Sequence, residues 1–256
     1  KELYDFSVDI GFEVVCIGKG KNNPLDQTAT PESLKDRAMQ KNMNPKMLAS
    51  FVDGSKTMIE MTALSNGIGM PLDKVGMNGP ISEVSELNKN LIPESDGGVL
   101  KESGRVDFAF GPAPGVFSIV TTDNPTIIEE MEYLSMGEGP YYTLYRPYHL
   151  ASVEAPRSVG MAIINNEPGL QPTTWISEVI GHAKKDLKPG DKIDGIGGFS
   201  SYGVAYPYSE TEGLAPLGLI EGATVVGEIK KGEPIPRDSI ELPDNLINNL
   251  RNKQNN

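Results

Sequence analysis

Blocks of apolar and polar positions succeed one another along this chain, and their periods predict its elements. "ELYDFSVDIG" reads as a short helix feeding an apolar strand over residues 12–17. "GKGKNNPLD", residues 18–26, then reads as a bendable loop. Thr30-Pro31 and Asn44-Pro45 each set a capping side chain before a proline, which is how helices often begin. The second start predicts one long helix ending near Gly67. At about 100° per residue, Met47, Leu48, Phe51, Val52, Met58, Ile59 and Met61 share an apolar arc. Ser55, Thr62 and Asn66 fall near the centre of that arc, and Lys56 and Glu60 flank it. A buried polar group without a partner costs about 1–3 kcal/mol. Either a structural network or a cavity whose contents complete the hydrogen bonds satisfies these three.

Further along, "ISEVSELNKNL" predicts a helix, and "RVDFAF" and "VFSIV" predict two strands joined by the turn "GPAPG". "TIIEEMEYL" reads as a helix, "PYYTLYR" as a strand, and the second half of "PYHLASVEAPRSVGMAII" as a helix. Residues 1–175 thus read as an α+β domain of α/β type. Residues 176–245 are short β-like segments rich in glycine and contain an internal echo. Residues 186–193, "DLKPGDKI", match 228–235, "EIKKGEPI", at a constant offset of 42 residues. The shared pattern is acid, Leu or Ile, Lys, any residue, Gly, acid, any residue, Ile, with glycine supplying the turn. Two copies predict a small all-β module with quasi-symmetric hairpins. The Asn-rich residues 246–256 read as a flexible tail.

Composition narrows the partners. The 256 residues carry a formal net charge of -12, which argues against nucleic acid or an anionic membrane, since both require a basic face. A local basic cluster therefore stands out. The single cysteine, Cys16, excludes an internal disulfide framework and fits a reducing cytosol. No apolar run approaches the roughly 18 residues of a membrane span. Lys1 opens directly into the first predicted helix without an initiating Met, which predicts a piece of a longer polypeptide.

Three places hold candidate chemistry. In "GKGKNN", glycines permit close backbone approach and Lys19 and Lys21 supply point charges for phosphate or carboxylate; the alternative is a solvated basic turn. The spacing is neither that of a P-loop nor a dinucleotide fingerprint, because Asn23 stands where the last glycine belongs. The helical arc with Ser55, Thr62 and Asn66 is the second. The third is "RPYH", where Arg146 offers a bidentate grip and His149 a proton carrier, unless the histidine is a surface residue. His182 in "VIGHAKKD" reads as a linker residue. Metal and nucleophile templates are absent, although carboxylates such as Glu60 leave a divalent ion open.

Together "GKGKNNPLDQTATP", "FVDGSKTMIEMTALSNG", "PAPGVF", "YRPYHLASVEAP" and "KKDLKPGDKIDGIGGFSSYG" resemble the homoserine-dehydrogenase-like oxidoreductases that carry an SAF domain. That group includes the second type of 1-deoxy-D-xylulose 5-phosphate reductoisomerase. The resemblance spans roughly residues 2–245. It implies a central catalytic and dimerisation domain at 1–175, an SAF (β-clip) domain at 176–245, and a homodimer. It also implies an NAD or NADP cofactor bound mainly by an N-terminal Rossmann domain that this sequence does not contain, so that the fragment alone is inactive. The implied substrate is small and anionic, a phosphorylated carbonyl or polyol gripped by Lys19, Lys21 and Arg146. Asn22, Asn23 and Ser55 would hold its hydroxyls, Thr62 and Asn66 would line the polar helix, and Lys56 or His149 would move the proton that accompanies hydride transfer. The rival readings are a binding module without redox chemistry and a sugar-acid lyase or dehydratase.

Overall fold

The computed structural model describes residues 1–254. In chain order its elements are α1 (Glu2–Asp9), β1 (Glu13–Lys21), α2 (Lys35–Gln40), α3 (Pro45–Val52), α4 (Ser55–Ile68), α5 (Leu87–Asn90), β2 (Arg105–Phe110) and β3 (Val116–Thr121). There follow α6 (Pro125–Tyr133), β4 (Tyr141–Arg146), α7 (Ala155–Gly160), β5 (Ser177–Ala183), β6 (Ser201–Pro207), β7 (Thr224–Val225), β8 (Ile240–Glu241) and α8 (Leu246–Gln254). The class is α+β. The chain divides into two units, both discontinuous: residues 1–22 with 63–176, and residues 23–62 with the segment from 177 onward.

The first unit is organised by a four-stranded sheet in the order β2-β1-β3-β4. β1 runs parallel to β2 and antiparallel to β3, and β3 is antiparallel to β4. The turn "GPAPG" joins β2 to β3, yet these strands do not pair with each other, because β1 lies between them. The expected loop at residues 18–21 is also corrected, since β1 continues through Lys21. The two glycines explain both findings. A Cβ on Gly18 would lie 1.8 Å from the Asp107 carbonyl oxygen, and one on Gly20 would lie 2.2 Å from Pro112. They let neighbouring backbone close on the strand rather than bend it. One sheet face buries Cys16, Ala109, Phe117 and Ile119 against Leu87, Leu91, Ile92 and Leu100. The predicted helix over "ISEVSELNKNL" is only a 3-10 turn, Val84–Glu86, followed by the single turn α5.

In the second unit Asn44 caps α3 by accepting from the N–H groups of Lys46 and Met47 at 2.9 and 3.2 Å. The expected long helix is broken. α3 stops at Val52, Gly54 takes φ +90, and Asp53 Oδ1 accepts from Ser55 N at 2.8 Å to start α4. Residues 47–61 therefore do not lie on one arc; the Asp-Gly pair outweighs the apolar periodicity on either side of it. Thr30 Oγ1 accepts from Ser33 N at 3.2 Å, but regular helix begins only at Lys35. The presumed tail is helical as α8, while residues 255 and 256 lie outside the described residues.

The 42-residue echo is visible in the hydrogen bonding. Gly190 N donates to Val225 O and Gly232 N to Ala183 O, both at 2.8 Å. Ile193 N reaches Ala223 O, and Ile235 N reaches Gly181 O. Each of these bonds becomes its counterpart when 42 is added to one residue number and subtracted from the other. Leu187 and Ile229 exchange both backbone bonds with each other and mark the local two-fold. The turn glycines take φ +95 and +87, and each copy's acid accepts from the lysine N–H three residues earlier: Asp191 from Lys188 and Glu233 from Lys230.

Candidate functional site

Residues directly paired across a sheet share a face. Lys19 pairs with Phe108 on β2 and Val116 on β3, and Val116 pairs with Arg146 on β4. Phe108, Lys19, Val116 and Arg146 thus form one row on one face, with Lys21 and Phe110 one step beyond. Two strand spacings separate the Lys19 and Arg146 backbones, about 10 Å. The same face carries α1, through Ser7 Oγ bonded to Ser118 Oγ at 3.0 Å. Around the end of β1 the backbone is tied down, Gly20 N to Gly115 O at 2.9 Å and Gly111 N to Lys21 O at 3.3 Å.

Arg146 is held by carboxylates. Its Nη2 bonds Glu154, its Nη1 lies 3.3 Å from Glu2 Oε2, and Glu2 also binds Arg157. The guanidinium stacks on Tyr148, 5.0 Å from the ring centroid. Its Nε is buried without a hydrogen-bond partner. His149 is exposed three residues on, in the segment between β4 and α7. Asn22, exposed, follows directly on β1. Asn66 anchors the returning chain: its Oδ1 accepts from Ile176 N at 2.9 Å, and its carbonyl accepts from Thr173 N and Thr174 N.

The remaining candidates belong to the second unit. Ser55 is fully buried, and its hydroxyl accepts from Gly203 N at 2.8 Å, which fastens α4 to β6. Thr62 is buried, and its Oγ1 has no hydrogen-bond partner. Lys56 is half exposed, 3.6 Å from Glu60 and 5.8 Å from the Phe51 ring centroid. Asn23 Oδ1 accepts from Arg37 at 2.5 Å.

Two residues escaped the sequence reading. His182 is no linker residue: it is buried within β5, with Nδ1 3.0 Å from Gly232 O and Nε2 2.9 Å from Tyr206 Oη. Burial pushes its pKa below the ordinary histidine value, against a smaller upward pull from the Gly232 carbonyl. The arrangement fits a neutral ring that donates from Nδ1 and accepts at Nε2. Lys184, two residues on, is buried with Asp53, Nζ to Oδ2 at 2.8 Å, and donates to Ala29 O and Gly198 O at 2.6 and 2.9 Å. A buried lysine is rare enough to be a signal, but burial itself is not written in "GHAKKD".

On the far side of the sheet lies a cleft of about 1170 Å³ lined by Asn88, Lys89, Asp96, Tyr141, Thr143 and Tyr145. Tyr141 donates to Asp96, whose carboxylate pushes the phenol up to about 12. Among the described residues no three His, Cys, Asp or Glu side chains are grouped as a metal centre, and no helix is long and apolar enough to cross a membrane.

No curated protein matches the chain. The family model described as "Oxidoreductase DRL, catalytic domain" matches residues 1–155, which include the whole cation-bearing sheet, and with well over half of its length so matched the chain belongs to that oxidoreductase family.

Proposed function

We propose that this chain is the substrate-gripping part of an NAD(P)H-dependent oxidoreductase acting on a small anionic carbonyl compound, with a phosphorylated keto-sugar of the deoxyxylulose-phosphate type as the leading class. The observation that carries this reading is the row of Lys19 and Arg146, with Lys21 one step on, on one face of the sheet within the matched catalytic residues. Arg146 and Lys21 hold the anionic group, and Lys19 faces the carbonyl, where a cation stabilises the alkoxide that forms on reduction. His149 is the candidate for moving the accompanying proton, and Asn22 for binding a hydroxyl. The hydroxyl of Ser55 accepts from Gly203 N and retains its own O–H donor.

Gly18 and Gly20 do not serve as a dinucleotide-binding turn in this reading. Backbone of residues 107 and 112 fills the space beside Gly18 and Gly20, where a pyrophosphate would have to approach. The hydride donor accordingly belongs to a separate Rossmann domain in this proposal, and no step here runs through it. The local two-fold over residues 181–235 supports reading the C-terminal part as an SAF module.

The test is calorimetric titration with a phosphorylated keto-sugar, beside consumption of NADPH or NADH when the protein meets the same compounds. Lys19→Ala and Lys21→Ala are expected to weaken binding, most clearly at low salt. Unchanged affinity in both variants sinks the assignment.

A further inference from the structure

The cation row is not presented bare. Glu154, in the turn leading to α7, bonds Nη2 of Arg146, and Glu2 of α1 approaches Nη1. One guanidinium is thus shared by two carboxylates that come from opposite ends of the unit's sequence, and its Nε is left buried without a partner. Glu154 is the N-cap residue of α7, but its side chain makes no capping hydrogen bond, and Glu2 lies in the first turn of α1. Both are partly in water, with side chains 35% and 53% exposed. Half-solvated ion pairs are weak and easily exchanged, whereas a multiply charged ligand meeting several cations at once gains bonds that no single carboxylate offers. Geometry adds the alternative partners: Lys19 shares the sheet row with Arg146, and Lys21 stands one step further along the same face.

We propose that Glu154, assisted by Glu2, is a displaceable internal anion that holds Arg146 in place over the site and yields it to the anionic group of the substrate. The inference rests on the substrate-anion reading above and adds a residue that sets specificity. A monoanion pairs too weakly to evict the carboxylate, whereas a phosphate dianion spanning Arg146 and the lysines succeeds. Glu154 is therefore a positioning and discriminating residue. It touches Arg146, not the reacting atoms.

The experiment uses inorganic phosphate as the probe, with acetate as the monoanionic comparison, titrated calorimetrically into the protein at low ionic strength. In Glu154→Gln the competitor is neutral, so phosphate affinity is expected to rise, up to about fivefold for a pair of this exposure. Acetate should gain proportionally more, so that discrimination between the two falls. Glu2→Gln should act in the same direction and more weakly. It also serves as the second variant, should Glu154→Gln fail to fold by circular dichroism. In the Arg146→Gln background the gain on adding Glu154→Gln should vanish, which a merely structural role for Glu154 would not produce. Unchanged or weaker phosphate binding in folded Glu154→Gln and Glu2→Gln overturns the proposal. If wild type nonetheless loses phosphate on Lys19→Ala, the anion site itself stands. No phosphate binding by wild type and by both glutamine variants overturns the two readings together.

Discussion

Lys184 and Arg146 each meet carboxylates, and the two pairings belong to opposite regimes. In the second unit Lys184 and Asp53 are out of water, with side chains 1% and 0% exposed, and Nζ has three oxygen partners. Asp53 Oδ1 is simultaneously bound by Ser55 N, so one carboxylate both starts α4 and neutralises the lysine. In the first unit Arg146 is 29% exposed, and its partners are wetter still. Burial removes the alternatives: neither member of the Lys184–Asp53 pair can exchange its partner for water without unfolding what surrounds it. Solvation restores them, and a half-wet pair becomes something a ligand can replace. The same charge chemistry therefore fastens one unit and leaves the other adjustable.

The largest effect should come from breaking the buried pair. Lys184→Met leaves Asp53 charged and unpaired, and the expected loss is about 3–5 kcal/mol in urea unfolding. Replacing both partners by apolar residues, Lys184→Met with Asp53→Leu, should recover much of that loss, because desolvation offsets most of what such a pair gains. A single variant that costs under 1 kcal/mol would erase the contrast with Arg146.

A smaller effect is expected at His182, an uncharged buried partner in the same unit. Its folded pKa lies below the ordinary value because burial disfavours the imidazolium. The unfolded chain then binds the extra proton first, so stability rises with pH across this window. The contribution of the neutral ring is full above the unfolded value of about 6.5 and is lost as pH falls through the folded pKa. Unfolding free energy should therefore drop as pH falls below about 6.5, and His182→Asn should flatten the drop. Tyr206→Phe, which removes the hydroxyl at Nε2, should cost about 1 kcal/mol at pH 7.5. A pH profile identical in wild type and His182→Asn would assign the drop to carboxylates instead.

These residues also show what the sequence could convey. The 42-residue echo was legible because each copy carries its own turn chemistry: a glycine at positive φ and an acid that closes on a lysine N–H. Local information of that kind survives in the string. Lys19, Lys21 and Arg146 were legible as cations, but the row that unites them depends on β1 entering between β2 and β3, a non-local pairing that "GPAPG" alone disguises as a hairpin. The glycines of "GKGK" read as flexibility, whereas the structure uses them for close approach to Asp107 and Pro112. Lys184 and His182 stayed hidden for the same reason. Their burial is conferred by segments such as Asp53 and Gly232 that lie far away in the chain. The break at Asp53-Gly54, by contrast, is written locally, since that dipeptide is itself a turn signal.

The smallest effect on stability should come from the pair with the strongest proposed role in binding. Arg146→Gln removes a cation whose partners are half in water, so its cost should stay within about 1 kcal/mol. That cost should shrink further as salt is raised, because exposed pairs are screened over about 10 Å at 0.1 M ionic strength. The buried Lys184–Asp53 pair should be nearly indifferent to the same salt. Urea unfolding of both variants at low and high sodium chloride measures the two dependences side by side. If the Arg146→Gln loss exceeded 2 kcal/mol and resisted salt, Arg146 with Glu2 and Glu154 would be a structural clamp like Lys184. It could not then be surrendered to a ligand. A small, salt-sensitive loss instead leaves Arg146 as a cation whose place in the sheet is set by β4 and whose partner is open to exchange.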